Sequence, residues 1–153
     1  MNNIEIKLLD KNEPYPYDLL HLADPSEEAV SDYLNRGKCY VAYHQDRIIG
    51  EYVLLPTRPF TIELVNVAVA EEYHGKGIGK KLVKHAISMA KNQNYKVVEV
   101  GTGDAGIGQL ALYQKCGFMM TSIDFNFFKK HYPEPIFENG IECRHMVRLS
   151  IDL

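Results

Sequence analysis

Apolar and polar positions along this 153-residue chain switch between the two-residue repeat of strands and the longer repeat of helices. Ile4 to Leu9 alternates weakly and predicts a first strand. Asp24-Pro25-Ser26-Glu27 predicts a helix start with Asp24 as cap, proline at N1 and glutamate at N3, and the helix is expected to end near Gly37. Cys39 to His44 and Arg47 to Leu55 are β-rich runs on either side of Gln45-Asp46, which predicts a hairpin. Pro56 and Pro59 are expected to part that hairpin from Thr61 to Ala70, a run apolar on both faces, as in a central strand covered on two sides. Between Gly77 and about Asn92, the residues Ile78, Leu82, Ala86 and Ala90 recur every fourth position while lysines fall off that line, so an amphipathic helix is expected. Tyr95 to Val100 reads as a short buried strand and Ile107 to Cys116 as a helix that Gly117 ends; Phe118 begins a further strand. Past Phe125 the chain is aromatic and broken by prolines, until Asn139-Gly140 signals a turn before a closing strand, Ile141 to Leu149.

Composition narrows the class. With 46% hydrophobic and 24% charged residues, one globular domain over residues 1–153 is expected. A net charge of -3 offers no broad basic surface, so a nucleic-acid partner is not expected. The amino terminus has neither a basic leader nor an apolar run, and no stretch approaches the roughly 20 apolar residues of a membrane span, so a soluble cytoplasmic protein without a membrane partner is expected. Cys39, Cys116 and Cys143 are odd in number and widely spaced, as reduced thiols would be, and the histidines show no ligand spacing, so no metal is expected. A homo-oligomer stays open.

The chemistry concentrates between Val67 and Leu82, where an apolar strand runs through a glycine-rich bend into the amphipathic helix. A helix start offers N–H groups without intrahelical partners and partial positive charge, which together suit a phosphate. Gly75, Gly77 and Gly79 keep side chains away from such a ligand, and Lys76, Lys80 and Lys81 add positive charge. The P-loop pattern fails here, since it needs Gly at His74 and Ser or Thr at Lys81; the dinucleotide pattern fails because Lys80 stands where its third glycine belongs. A helix cap beside a turn is the plainer reading of the same residues.

His74-Gly75-Lys76-Gly77-Ile78-Gly79 resembles the coenzyme A loop of the GNAT superfamily of N-acetyltransferases, Arg/Gln-x-x-Gly-x-Gly/Ala, with His74 in place of the first Arg or Gln. Leu112-Tyr113-Gln114-Lys115-Cys116-Gly117-Phe118 is similar to that family's Leu-Tyr-x-x-x-Gly-Phe segment. The resemblance spans roughly residues 61–118. It implies an α/β fold with a mixed, largely antiparallel central sheet flanked by helices on both faces, whose central strands part to admit a pantetheine arm. It also implies acetyl-coenzyme A as cosubstrate, with the polar groups of Val67, Ala68 and Val69 on the pantetheine amides and the pyrophosphate on His74 to Lys80. The implied reaction moves acetyl directly to a primary amine of a small molecule or peptide, with no covalent enzyme intermediate. Tyr113 is the implied acid facing the coenzyme sulfur. Glu63 is the candidate base, because it lies in an apolar run where desolvation raises a carboxyl toward neutrality and stands where histone-type members carry a catalytic glutamate. The asparagine that often precedes the Tyr113 helix is replaced by the Asp104 and Gly106 neighbourhood. Phe128 and Tyr132 are candidates for lining an acceptor pocket.

A competing pattern lies in Val97 to Gly106, VVEVGTGDAG, a strand running into Gly-x-Gly-x-x-Gly with Asp124 near the end of the next strand. It resembles the first motif of S-adenosylmethionine-dependent methyltransferases, with Glu99 as the acidic residue on the strand. Too little chain follows Asp124 for a doubly wound nucleotide fold. A noncatalytic acyl-coenzyme A sensor is the other alternative class.

Overall fold

The computed structural model describes residues 3–153. One sheet organises the chain, with strands β1 (Glu5–Leu8), β2 (Lys38–His44), β3 (Arg47–Arg58), β4 (Thr61–Val69), β5 (Val97–Gly103), β6 (Met119–Asp124) and β9 (Met146–Asp152) in the order β1-β2-β3-β4-β5-β9-β6. Every neighbouring pair is antiparallel except β4 and β5. Helices α3 (Ile78–Asn92) and α4 (Ile107–Lys115) lie on one face, and α1 (Tyr17–Ala23) and α2 (Glu27–Arg36) on the other. A short helix α5 (Phe127–His131) and a small hairpin of β7 (Phe137–Glu138) and β8 (Ile141–Glu142) complete the described chain.

Local chemistry accounts for most of these elements. Gln45 and Asp46 both take positive φ, as a two-residue hairpin requires to match strand twist. On α3 the predicted Ile78, Leu82, Ala86 and Ala90 are buried, with Val83 beside them, against Tyr40, Tyr52, Val98 and Leu149. Gly117 ends α4 at φ 105°, beyond the reach of most side chains.

Several boundaries differ from the sequence expectation. Ser26, not Asp24, caps α2 by accepting the Ala29 N–H at 3.1 Å, while Asp24 accepts the Ser26 N–H at 3.1 Å and ends α1, a helix that hydrophobic spacing did not reveal. Pro56 does not end β3. The strand runs through it to Arg58 with its ladder irregular there, the tolerated setting for a strand proline. The expected closing strand from Ile141 is two elements, β8 and β9, and the aromatic run holds α5.

Two irregularities in β4 position the site. Its parallel ladder with β5 stops at Leu64 opposite Val100, so Val65 to Val69 face no strand on that side. Its ladder with β3 skips Val65 between Leu64 and Asn66. That bulge turns both Val65 and Asn66 toward α1 and α2, and returns Val67 and Val69 to the α3 face.

Candidate active site

The gap where β4 and β5 part leads to the start of α3. Gly75 and Gly77 have φ of 77° and 79°, the left-handed region that favours glycine, and a Cβ at either would meet open space. Lys81 N–H to Gly77 O, at 3.2 Å, is the first intrahelical bond, so the N–H groups of Ile78, Gly79 and Lys80 precede the ladder; no side chain caps them. His74 does not point a charge into this bend. Its Nε2 donates to the Val69 carbonyl at 2.7 Å, tying the loop to the end of β4. Donors, helix dipole and clear space therefore coincide along 75–80, which fits a diphosphate.

A cavity of about 350 Å³ joins this bend to Val67, Ala68, Val69 and Tyr113. The loop and strand residues singled out as coenzyme contacts thus converge on one space, apart from Lys76 and Lys80, which are exposed and do not line it. Tyr113 is buried at the end of this cavity and also lines a second one of about 640 Å³. Among the described residues no group bonds its hydroxyl, and desolvation raises that phenol well above the usual tyrosine range. It therefore stays protonated, with a proton to offer into the cavity.

Glu63 is not brought to this junction. It lies on the sheet face opposite α3, with Oε2 3.8 Å from Arg148. Burial raises its carboxyl above the ordinary range, Arg148 opposes that rise and Glu99 adds to it. Arg148 also lies 3.6 Å from Asp124 and beside Gly101, a residue of the larger cavity's wall.

The larger cavity runs under α1 and the segment after β6. Phe128 and Tyr132, singled out for an acceptor pocket, line it. So do Asp24 and Asn66, which sequence reasoning did not connect with chemistry; Asp24 sits before a proline and looked like a cap alone. Tyr33 and Tyr132 donate to Asp24 at 3.1 and 2.9 Å, and Asn66 donates to Tyr33 at 2.8 Å.

The glycine pattern from Gly101 to Gly106 has a packing explanation. Gly101 and Gly103 are paired strand residues without positive φ, and a Cβ would come within 2.7 Å of Met146 Sδ and 2.9 Å of Cys143 Sγ. Asp104 accepts the N–H groups of Arg144 and His145, which hold its carboxyl below the usual range although burial pulls upward. Asp124 pairs with Arg148. The mostly antiparallel sheet is not doubly wound, so the methyltransferase alternative falls.

The parted strands, glycine bend and helix start define a coenzyme A-dependent acyltransferase. The profile of the Acetyltransferase (GNAT) family matches residues 6–118, and the chain belongs to that family. It is 53% identical over 153 residues to a Bacillus subtilis (strain 168) protein named uncharacterized N-acetyltransferase YvbK, covering 100% of this chain and 99% of that one. A GNAT family acetyltransferase from Elizabethkingia anophelis, solved with acetyl-CoA bound, superposes with a TM-score of 0.98 at 50% identity, covering 100% of both chains. An IAA acetyltransferase from Bacillus cereus ATCC 14579 superposes with a TM-score of 0.94 at 54% identity over 98% of this chain and 99% of that one. The protein is an acetyl-CoA-dependent acetyltransferase with the mixed α/β fold that the resemblance implied. The sensor alternative is not favoured.

Proposed function

We propose that the whole chain acts as one domain that transfers acetyl directly from acetyl-coenzyme A to a primary amine, which enters by the larger cavity and meets the thioester beside Tyr113. The N–C bond forms as the C–S bond breaks, the amine proton leaves to a base, and the departing sulfur takes a hydrogen bond from Tyr113. Val67, Ala68 and Val69 hold the pantetheine by their backbone, and a strand N–H polarises the thioester carbonyl. His74 to Lys80 hold the pyrophosphate. The observation that carries this reading is the position of Tyr113, which lines both cavities and whose hydroxyl has no partner among the described residues. Glu63 is the proposed base, acting through water, since it is paired with Arg148 and lines neither cavity. A cytoplasmic location belongs to the same reading, supported by three unpaired cysteines.

Thiol release with a panel of amines tests the transfer. Tyr113→Phe is expected to lower kcat roughly tenfold, a modest loss because a thiol of pKa about 8.5 leaves readily and water can protonate it. Coenzyme affinity should stay within about twofold, because the change removes no binding group along 74–80. Wild-type kcat in this variant would withdraw the acid role.

Glu63→Gln is expected to lower kcat about tenfold and to flatten the acid limb of the pH profile. The sign follows from the raised carboxyl: a base works only when deprotonated, so activity climbs as pH rises through its pKa. An unchanged limb would remove Glu63 from the proton path.

A further inference from the structure

Apart from the imidazole of His21, the amine pocket is lined by charged residues of one sign. Asp24 and Glu138 are the acidic residues in the wall of the 640 Å³ cavity, and among the described residues no lysine or arginine lines it. The guanidinium of Arg148 lies beside Gly101, on the same side as Met146, and is paired with Glu63 and Asp124. Asp24 is only 9% exposed and forms no ion pair among the described residues. It is held instead by the Ser26 N–H at 3.1 Å and by the hydroxyls of Tyr33 at 3.1 Å and Tyr132 at 2.9 Å, the surroundings of an acceptor-only carboxylate. These donors fix its position and leave its charge uncompensated.

A second observation points the same way. Asn66 is 3% exposed and lines the same cavity, turned there by the β4 bulge. Its Nδ2 is committed to the Leu20 carbonyl at 3.0 Å and the Tyr33 hydroxyl at 2.8 Å, and its Oδ1 has no hydrogen-bond partner among the described residues. A buried acceptor left unpaired costs free energy that a ligand donor recovers. Asp24 and Asn66 therefore place acceptors in the wall of this pocket, Oδ1 lying buried within it, and the aromatic rings of Phe128 and Tyr132 beside them suit a cation.

Resting on the proposed amine transfer, we propose that the acceptor is an amine with a second positive charge, and that Asp24 with Asn66 Oδ1 receives this second cation while the first amine reaches Tyr113. Diamines, polyamines and polycationic amines fall within this class; amino acids and aromatic acids fall outside it.

Three four-carbon probes that differ only at the far end separate the outcomes: butane-1,4-diamine, 1-aminobutane and 4-aminobutanoate. Affinity is measured calorimetrically on the wild-type protein saturated with coenzyme A, and acetylation separately by thiol release from acetyl-coenzyme A. The diamine is expected to bind about tenfold tighter than 1-aminobutane, with 4-aminobutanoate weakest. In Asp24→Asn the advantage of the diamine over 1-aminobutane should fall to within about twofold; should this variant not fold, the wild-type series decides alone. Equal affinities, or preference for 4-aminobutanoate, would overturn the proposal. Preferential diamine binding without thiol release from any amine would sustain the cation site at Asp24 and defeat the amine-transfer reading, the diamine then being a ligand and not an acceptor. Equal acetylation of all three, with equal affinities, would do the reverse.

Discussion

Gly77→Glu is expected to weaken coenzyme A binding by about 100-fold, close to 2.7 kcal/mol, in calorimetric titration. Two effects add at this position. A glutamate at φ 79° is strained by about 1–2 kcal/mol, which distorts the bend before any ligand arrives. Its carboxylate then stands beside the N–H groups of Ile78, Gly79 and Lys80, where it takes the donors and field that the diphosphate needs and repels the diphosphate itself. A Cβ at Gly77 meets nothing within 4 Å, so the fold loses little beyond the backbone strain. The midpoint of thermal unfolding should drop by roughly 2–8 °C, following about 2–4 °C per kcal/mol at this chain length. Gly77→Ala supplies the control, with the strain but no charge. Unchanged affinity in the glutamate variant would show that the phosphate seat lies elsewhere, and the coenzyme assignments along 74–80 would fall with it.

Glu51→Gln is expected to stabilise the protein increasingly as pH rises. Glu51 lies on β3, on the sheet face it shares with Val41 and Ala68, and is fully buried with neither carboxyl oxygen hydrogen-bonded among the described residues. Desolvation raises its carboxyl well above the ordinary range, so the folded chain keeps this proton at pH values where the unfolded chain has released it. More protons bound in the folded state means that stability falls as pH rises from the unfolded value of about 4.3 toward the folded one, by about 1.4 kcal/mol per pH unit. Glutamine does not titrate and removes that slope. The advantage of the variant over the wild type should therefore widen as pH rises above about 4.3, read as a growing difference in thermal midpoint. Any constant cost of the buried amide cancels in the comparison across pH, as does the titration of Glu63, common to both proteins. Parallel curves of midpoint against pH would mean that Glu51 is ionised in the folded protein.

The coenzyme half of the site was legible because it depends on contiguous backbone. Strand, glycine bend and helix start follow one another from Val67 to Lys81, and short-range spacing carries their conformations. The segment from Tyr113 to Phe118 was legible for the same reason, since helix, left-handed glycine and strand onset are adjacent. The second glycine pattern misled because Gly101 and Gly103 are glycines for want of room beside Met146 and Cys143, and nothing local announces contacts with residues about 40 positions away. Helix α1 went unseen because it has only seven residues, too few for periodicity to register.

By itself the sequence determined strands β1 to β6 and helices α2 to α4, where phosphate donors gather, and that the family is one of acetyltransferases. Tertiary structure alone decided the acceptor side: it bulged β4 at Val65, turned Asn66 toward α1, brought Tyr132 onto Asp24 across the chain, and separated Glu63 from Tyr113. The physical reason is range. Backbone angles and helix dipoles are fixed by neighbours in sequence, whereas the charge and hydrogen-bond pattern of a pocket depends on side chains that only packing brings within 3 Å of one another.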